Sequence, residues 1–224
     1  LLAKLFTSQG FSAIINLALY FGTIVFVLFL HASVVYTSIF ALLTRLNPMT
    51  LFKNMRPALL FAFSTSSSNA TMPITLNVAR TRVGAHNSIA SFTVPLGATV
   101  NMDGTAIMQG IATVFIAQAY GLDLTMGEYL AVVATATLAS IGTAGVPGVG
   151  LITLAMVLQQ VGLPVEGIGL IIGVDRLLDM MRTVVNVSGD GMVTAVVANS
   201  EGMLDKDVFN DLSEQDDSQP LQSS

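Results

Sequence analysis

The sequence predicts an all-α membrane protein whose long helices are broken at mid-depth and accompanied by two re-entrant helical hairpins. Three observations predict it. From Phe11 to Thr44 there is no Asp, Glu, Lys or Arg, a run longer than the roughly 20 apolar residues that cross a bilayer. Later apolar stretches are interrupted by short polar or Gly-rich runs where a plain spanning helix would have none. The final stretch carries Asp175, Asp179, Arg182, Asn186 and Asp190, separated by four, three, four and four residues.

Composition supports the same class. Hydrophobic residues make up 53% of the 224 and charged residues 10%, and mean hydropathy is +0.73. The net charge of -5 belongs to the tail: residues 201–224 hold seven of the 14 acids but only Lys206 among the nine bases. That tail, residues 201–224, lacks the apolar surface needed to offset ordering entropy and is expected to be disordered and solvated. There is no cysteine, so no disulfide is possible. The first residue is Leu1, and no basic segment with a cleavage site precedes the apolar run, so the chain is expected to begin inside a longer protein.

Residues 11–44 are expected to form one long, tilted span in which His31 is the only imidazole. Arg45, Lys53 and Arg56 follow, and after 23 uncharged residues Arg80 and Arg82. If both clusters face the cytoplasm, the segment between them must enter the membrane and return. Its middle, SSSNATMP, offers hydroxyls, an amide and a proline, and leaves arms of roughly ten residues, each too short to span. A re-entrant hairpin over residues 55–86 is therefore expected.

Residues 87–120 form a second long apolar stretch, interrupted by NMDGT at Asn101 to Thr105. An uncompensated Asp at that depth is costly, which predicts a broken helix lining a polar site. Residues 126–162 repeat the hairpin logic around SIGTAGVPGVG, whose four Gly and one Pro cannot continue a helix. A polar helix over 165–200 completes the order hairpin, broken span, hairpin, polar span, as an inverted repeat would produce.

At about 100° per residue the five polar side chains of the last helix fall within an arc of roughly 80°. A soluble helix can show the same stripe toward water, but here the flanks are IIGV and MVTAVV. Such a stripe faces a cavity or another helix. Arg182 has a planar fork that clamps a carboxylate, and Asp179, one turn earlier, can hold an ammonium group. With Asn186 for a second carboxylate, the set describes an amino acid with an acidic side chain. Asp190 and Asp103 remain for cations. Carbonyls and carboxylates are hard ligands suited to sodium, whereas His31 and His86 are too few to suggest a transition metal.

The ordered motifs SSSNATMP, NMDGTA, GTAGVPG and DRLLDMMRTVVNVSGD resemble the dicarboxylate/amino acid:cation symporter family, which includes archaeal aspartate transporters and the excitatory amino acid transporters. The resemblance runs through nearly all of residues 1–200. It implies that these residues are the C-terminal portion of an elevator-type transport domain. The earlier helices and the scaffold that makes a homotrimer would be absent from this chain. By motif position it implies substrate contacts from Ser67, Ser68, Thr105, Val146, Asp179, Arg182, Thr183 and Asn186. It implies one sodium at Gly97, Asn101, Asn186 and Asp190, a second among Thr99, Ser140, Ile141 and Thr143, and a third involving Asn101 and Asp103. That third site would also need residues from an earlier helix. Gln109 stands where potassium-coupled animal members carry Glu, so potassium countertransport is not expected.

The expected function is thus sodium-coupled symport of L-aspartate or L-glutamate in a lipid bilayer, with a bacterial inner membrane as the family-level expectation. No organic cofactor, enzymatic activity or nucleic-acid partner is expected, and sodium ions enter as coupled substrates. The alternatives are a C4-dicarboxylate or proton-coupled symporter of the same family, or an anion or ion channel, since re-entrant hairpins also build selectivity filters. An enzyme using the serines with Asp103 and a histidine would need those groups within hydrogen-bond reach. Blander roles stand beside the sharp ones. Asp103 could serve only to break a helix, the serines at 66–68 only to cap one, and Asp175 only as a structural contact. His31 and His86 are expected to be ordinary span or interface residues, and Met102, Met180 and Met181 packing residues.

Overall fold

The computed structural model describes residues 2–212, with side chains from Ile14 onward. Helices dominate the described residues, and strand-like pairing among them is limited to an isolated antiparallel bridge between Ala85 and Leu204. The first helical rod comprises α1 (Leu2–Leu30), a π-helical turn (His31–Tyr36) and α2 (Thr37–Thr44). Within it, Ile14–Thr44 is long and apolar enough to cross a membrane. At 1.5 Å per residue its 31 residues extend about 46 Å, more than a bilayer core of about 30 Å.

The first hairpin pairs α3 (Pro48–Thr65) with α4 (Ser68–Thr81). It begins seven residues before the expected boundary, and its arms of 18 and 14 residues exceed the expected ten. The reason is local. Asn47 caps α3 by accepting from Met49 N at 2.9 Å, with Pro48 at the first helical position, so the helix starts among the basic residues. The turn at the tip is made by Ser66 in the left-handed region (φ 55°) and Ser67 in extended conformation.

Helices α5 (Asn87–Val100) and α6 (Asp103–Ala119) flank the break at Asn101 and Met102. The second hairpin pairs α7 (Met126–Ser140) with α8 (Val149–Gln160). Thr125 and Glu128 start α7 with a reciprocal cap: Glu128 N donates to Thr125 Oγ1 at 3.3 Å and Thr125 N to Glu128 Oε2 at 2.7 Å. A 3₁₀ turn (Val165–Leu170) leads into α9 (Ile172–Ser200), which runs unbroken through all five polar residues.

Helix α9 is the axis of the molecule. Its buried side chains include Asp175, Arg182, Asn186, Ser188 and Asp190, and α3, α5 and α6 pack around it. Large apolar side chains point outward, with Leu42 79%, Leu138 71% and Ile152 70% exposed. Buried polar side chains along α9 thus coexist with a large apolar core and with large apolar side chains on the exterior.

The tail departs from expectation over its first half. Residues 201–212 fold back as a strap: His86 N donates to Met203 O at 3.0 Å and Asp205 N to Gly84 O at 2.8 Å. Helix α10 (Lys206–Asn210) is capped by Asp205 and buries Phe209 completely. Asn54 Nδ2 donates to Phe209 O at 2.9 Å. Leu204, Val208 and Phe209, scattered among acids, offer enough apolar surface to dock when a preformed seat exists. The rest of the expected tail, residues 213–224, lies outside the described residues.

Candidate substrate and cation site

The two hairpin tips meet beside α9. Ser67 caps α4, its Oγ accepting from Ala70 N at 3.1 Å, while the same hydroxyl donates to Gly145 O at 2.6 Å. Asn69 N donates to that same carbonyl at 3.0 Å. A β-carbon on Gly145 would stand 3.0 Å from Ser68 Cβ, so glycine is what permits the approach. Ser68 is buried, and Val146, next to Gly145, is 45% exposed.

From below the tips Arg182 rises on α9, 1% exposed. Its Nη2 lies 3.1 Å from Asp175 Oδ1 and 3.0 Å from Asp179 Oδ1. These contacts neutralise the charge at Nη2, whereas Nε and Nη1 are buried with no hydrogen-bond partner. Asp179 Oδ2 accepts from Gly148 N at 2.9 Å, which ties the second hairpin to α9. A β-carbon on Gly150 would stand 3.4 Å from Arg182 Nη1 and 3.5 Å from Thr105 Cγ2.

One turn along, Asn186 closes the break between α5 and α6. Its Oδ1 accepts from Gly104 N at 2.8 Å, and its Nδ2 lies 3.2 Å from Met102 Sδ and 3.5 Å from Thr105 Oγ1. Thr183 points its hydroxyl at Asp179 O, 2.8 Å away along the helix. The expected substrate set Ser67, Ser68, Thr105, Asp179, Arg182, Thr183 and Asn186 is thus gathered where the hairpin tips, the break and α9 converge. Val146 sits at its rim.

The expected cation residues form three groups. Asn101 Nδ2 donates to Asn186 O at 3.0 Å and to Asp190 Oδ1 at 3.1 Å. Gly97 lies against the same carboxylate, so closely that a β-carbon there would overlap Asp190 Oδ1. In the second group Gly142 N donates to Thr99 O at 2.7 Å, seating the second tip on the end of α5. Thr143 N donates to Ser140 O at 3.1 Å, the Thr143 hydroxyl donates to Ala139 O, and Ile141 is 47% exposed. In the third, Asp103 at the start of α6 is held from the first rod by Tyr36 and His31.

Sequence reasoning missed several participants. His31 and Tyr36 are on the first rod, 72 and 67 residues from Asp103, and no local pattern links them. Met102 faces Asn186 rather than serving only as filler. Ser66 is 2% exposed with its hydroxyl unpartnered. Its signal was visible as the first serine of the SSS run.

Residues 1–200 match the Sodium:dicarboxylate symporter family. The chain is 46% identical over 182 residues to excitatory amino acid transporter 3 of Mus musculus, and likewise 46% identical over 182 residues to that of Homo sapiens. It is 44% identical over 181 residues to an excitatory amino acid transporter of Caenorhabditis elegans. These alignments cover 81% of this chain in each case, but 35% of the two mammalian proteins and 36% of the nematode protein. The chain therefore spans about a third of the length of the curated relatives it matches. With four ordered motifs on one converging site and the match extending over residues 1–200, the chain belongs to the sodium:dicarboxylate symporter family, a family of integral membrane transporters.

Proposed function

We propose that the protein is a secondary active symporter that carries L-aspartate or L-glutamate together with sodium ions by elevator-type alternating access. The observation that carries this reading is Arg182: a guanidinium 1% exposed whose Nη2 is ion-paired with Asp175 and Asp179 while Nε and Nη1 have no hydrogen-bond partner. A buried donor set left unsatisfied costs several kcal/mol. A carboxylate ligand arriving in bidentate geometry removes that cost.

In this reading Arg182 takes the side-chain carboxylate, Asp179 the α-ammonium and Asn186 the α-carboxylate. Thr105, Thr183, Ser67, Ser68 and the backbone at Val146 surround them. The excitatory amino acid transporters, similar to this chain by sequence, support an acidic amino acid. Asp179 disfavours a plain C4-dicarboxylate, which has no cation to offer it. Ligand entry must break the Gly148–Asp179 and Ser67–Gly145 contacts, so the hairpin tips part before substrate binds.

Sodium is assigned to three places: Gly97, Asn101, Asn186 and Asp190; the carbonyls of Thr99, Ser140, Ile141 and Thr143; and Asn101 with Asp103. All are hard oxygen donors apart from the amide nitrogens. Helix termini and breaks point carbonyls at such ions in transporters generally. The homotrimer is assigned to segments outside this chain, and the host membrane, read as a bacterial inner membrane, rests on the family resemblance alone.

Radiolabelled L-aspartate uptake into proteoliposomes by the full-length protein tests the reading. Saturable uptake driven by an inward sodium gradient, and resisted weakly by succinate, is expected. Uptake driven by a proton gradient alone, or unsaturated current without uptake, would replace it with the proton-coupled or channel alternative.

A further inference from the structure

The first rod contains one irregularity, the π turn His31–Tyr36, at the level where it passes Asp103. Residues five apart on a regular α-helix point about 140° from one another and cannot share a neighbour. A π turn, with its i→i+5 bonding, brings them to one face. His31 and Tyr36 accordingly stack edge to face with ring centroids 4.6 Å apart. Both reach the same atom: Tyr36 Oη donates to Asp103 Oδ2 at 2.8 Å, and His31 Nε2 lies 3.1 Å from it. Tyr36 is 3% exposed, and its hydroxyl also lies against Gly189, where a β-carbon would stand 2.6 Å from it.

From this geometry we infer that Tyr36 and His31 are positioning residues for a cation at Asp103. They spend Oδ2 on two side chains of the first rod and leave Oδ1 to face the ion, so the π turn supplies the buttress for that carboxylate. A carboxylate free to rotate would present either oxygen, and would lose orientational entropy each time an ion bound. Nothing in the expected site set assigned these two residues. The inference rests on the reading of Asp103 as a cation ligand.

The test is a sodium titration of L-aspartate uptake by the full-length protein carrying Tyr36→Phe, with Asp103→Asn alongside. Removing one hydrogen bond to a charged group is expected to raise the sodium concentration for half-maximal uptake roughly fivefold to tenfold. The aspartate KM at saturating sodium should change less than twofold, a split that a general packing defect would not produce. His31→Gln, which keeps a donor, should be closer to wild type than His31→Ala. Sodium-dependent thermal protection of the detergent-solubilised variants provides a reading that needs no transport. If Asp103→Asn shifts sodium dependence and Tyr36→Phe and His31→Ala do not, the positioning role is overturned. If Asp103→Asn itself leaves sodium dependence unchanged, the cation reading of Asp103 fails and this role fails with it.

Discussion

Ser67 Oγ donates to the carbonyl of Gly145 at 2.6 Å, and with Asn69 N on the same carbonyl it joins two hairpin tips separated by 78 residues of chain. A β-carbon at position 145 would meet Asn69 N and Ser68 Cβ, each at 3.0 Å, and backbone cannot yield cheaply. Gly145→Ala is expected to hold the tips apart and raise the aspartate KM about tenfold, since overpacking costs about 1–3 kcal/mol. Uptake kinetics at saturating sodium check this, and an unchanged KM would mean the tips need not touch.

Gly97 is packed against the carboxylate of Asp190, leaving no room for a methyl group. Gly97→Ala should displace that carboxylate and raise the sodium requirement by about tenfold or more, with a smaller effect on discrimination between aspartate and neutral amino acids. Asp190→Asn should act in the same direction. Sodium titration of uptake is the measurement, and an unshifted curve for both variants would remove Asp190 from the cation set.

Arg182 is flanked by Asp175 and Asp179 at 3.1 and 3.0 Å. Arg182→Ala deletes the ligand clamp and also leaves buried Asp175 and half-buried Asp179 without a cation, a loss of about 3–5 kcal/mol for a broken buried pair. Aspartate affinity should fall by at least about a hundredfold. Arg182→Lys, a point charge without the fork, should recover folding but little affinity. Calorimetric binding on the purified protein separates the two effects. Normal affinity in either variant would refute the clamp.

Phe209 is fully buried beside Phe40, ring centroids 6.0 Å apart, and its carbonyl receives Asn54 Nδ2. Phe209→Ala should cost about 3 kcal/mol and lower the melting temperature by several degrees. Asn54→Ala should do less, and the double variant should be less destabilised than the sum, because each change loosens the docking of the same short strap. A melting temperature unchanged by Phe209→Ala would show that the strap adds no stability.

Much of this architecture was legible before any coordinates. The break at Asn101 and Met102, the Gly-rich turn after Ser140 and the stripe from Asp175 to Asp190 are local, and each leaves its mark in adjacent residues. The start of α3 at Pro48 lies earlier than expected because the uncharged run between Arg56 and Arg80 marks only the apolar part of the hairpin, whereas Asn47 and Pro48 start the helix among the basic residues. The strap was not legible, because Leu204, Val208 and Phe209 are too sparse to signal order without the seat formed by Asn54, Phe40 and Gly84.

The sequence by itself determined that residues 11–200 are largely helical, where the helices break at Asn101 and after Ser140, and which polar side chains of α9 share a face, since helical period and glycine or proline punctuation act over a few residues. Only the tertiary structure decided that Ser67 meets Gly145, that Gly148 closes on Asp179, and that His31 and Tyr36 reach Asp103. Those pairings join residues 31 to 78 positions apart. They depend on how helices pack around α9, and on a π turn whose rotation of two side chains onto one face no short-range pattern announces.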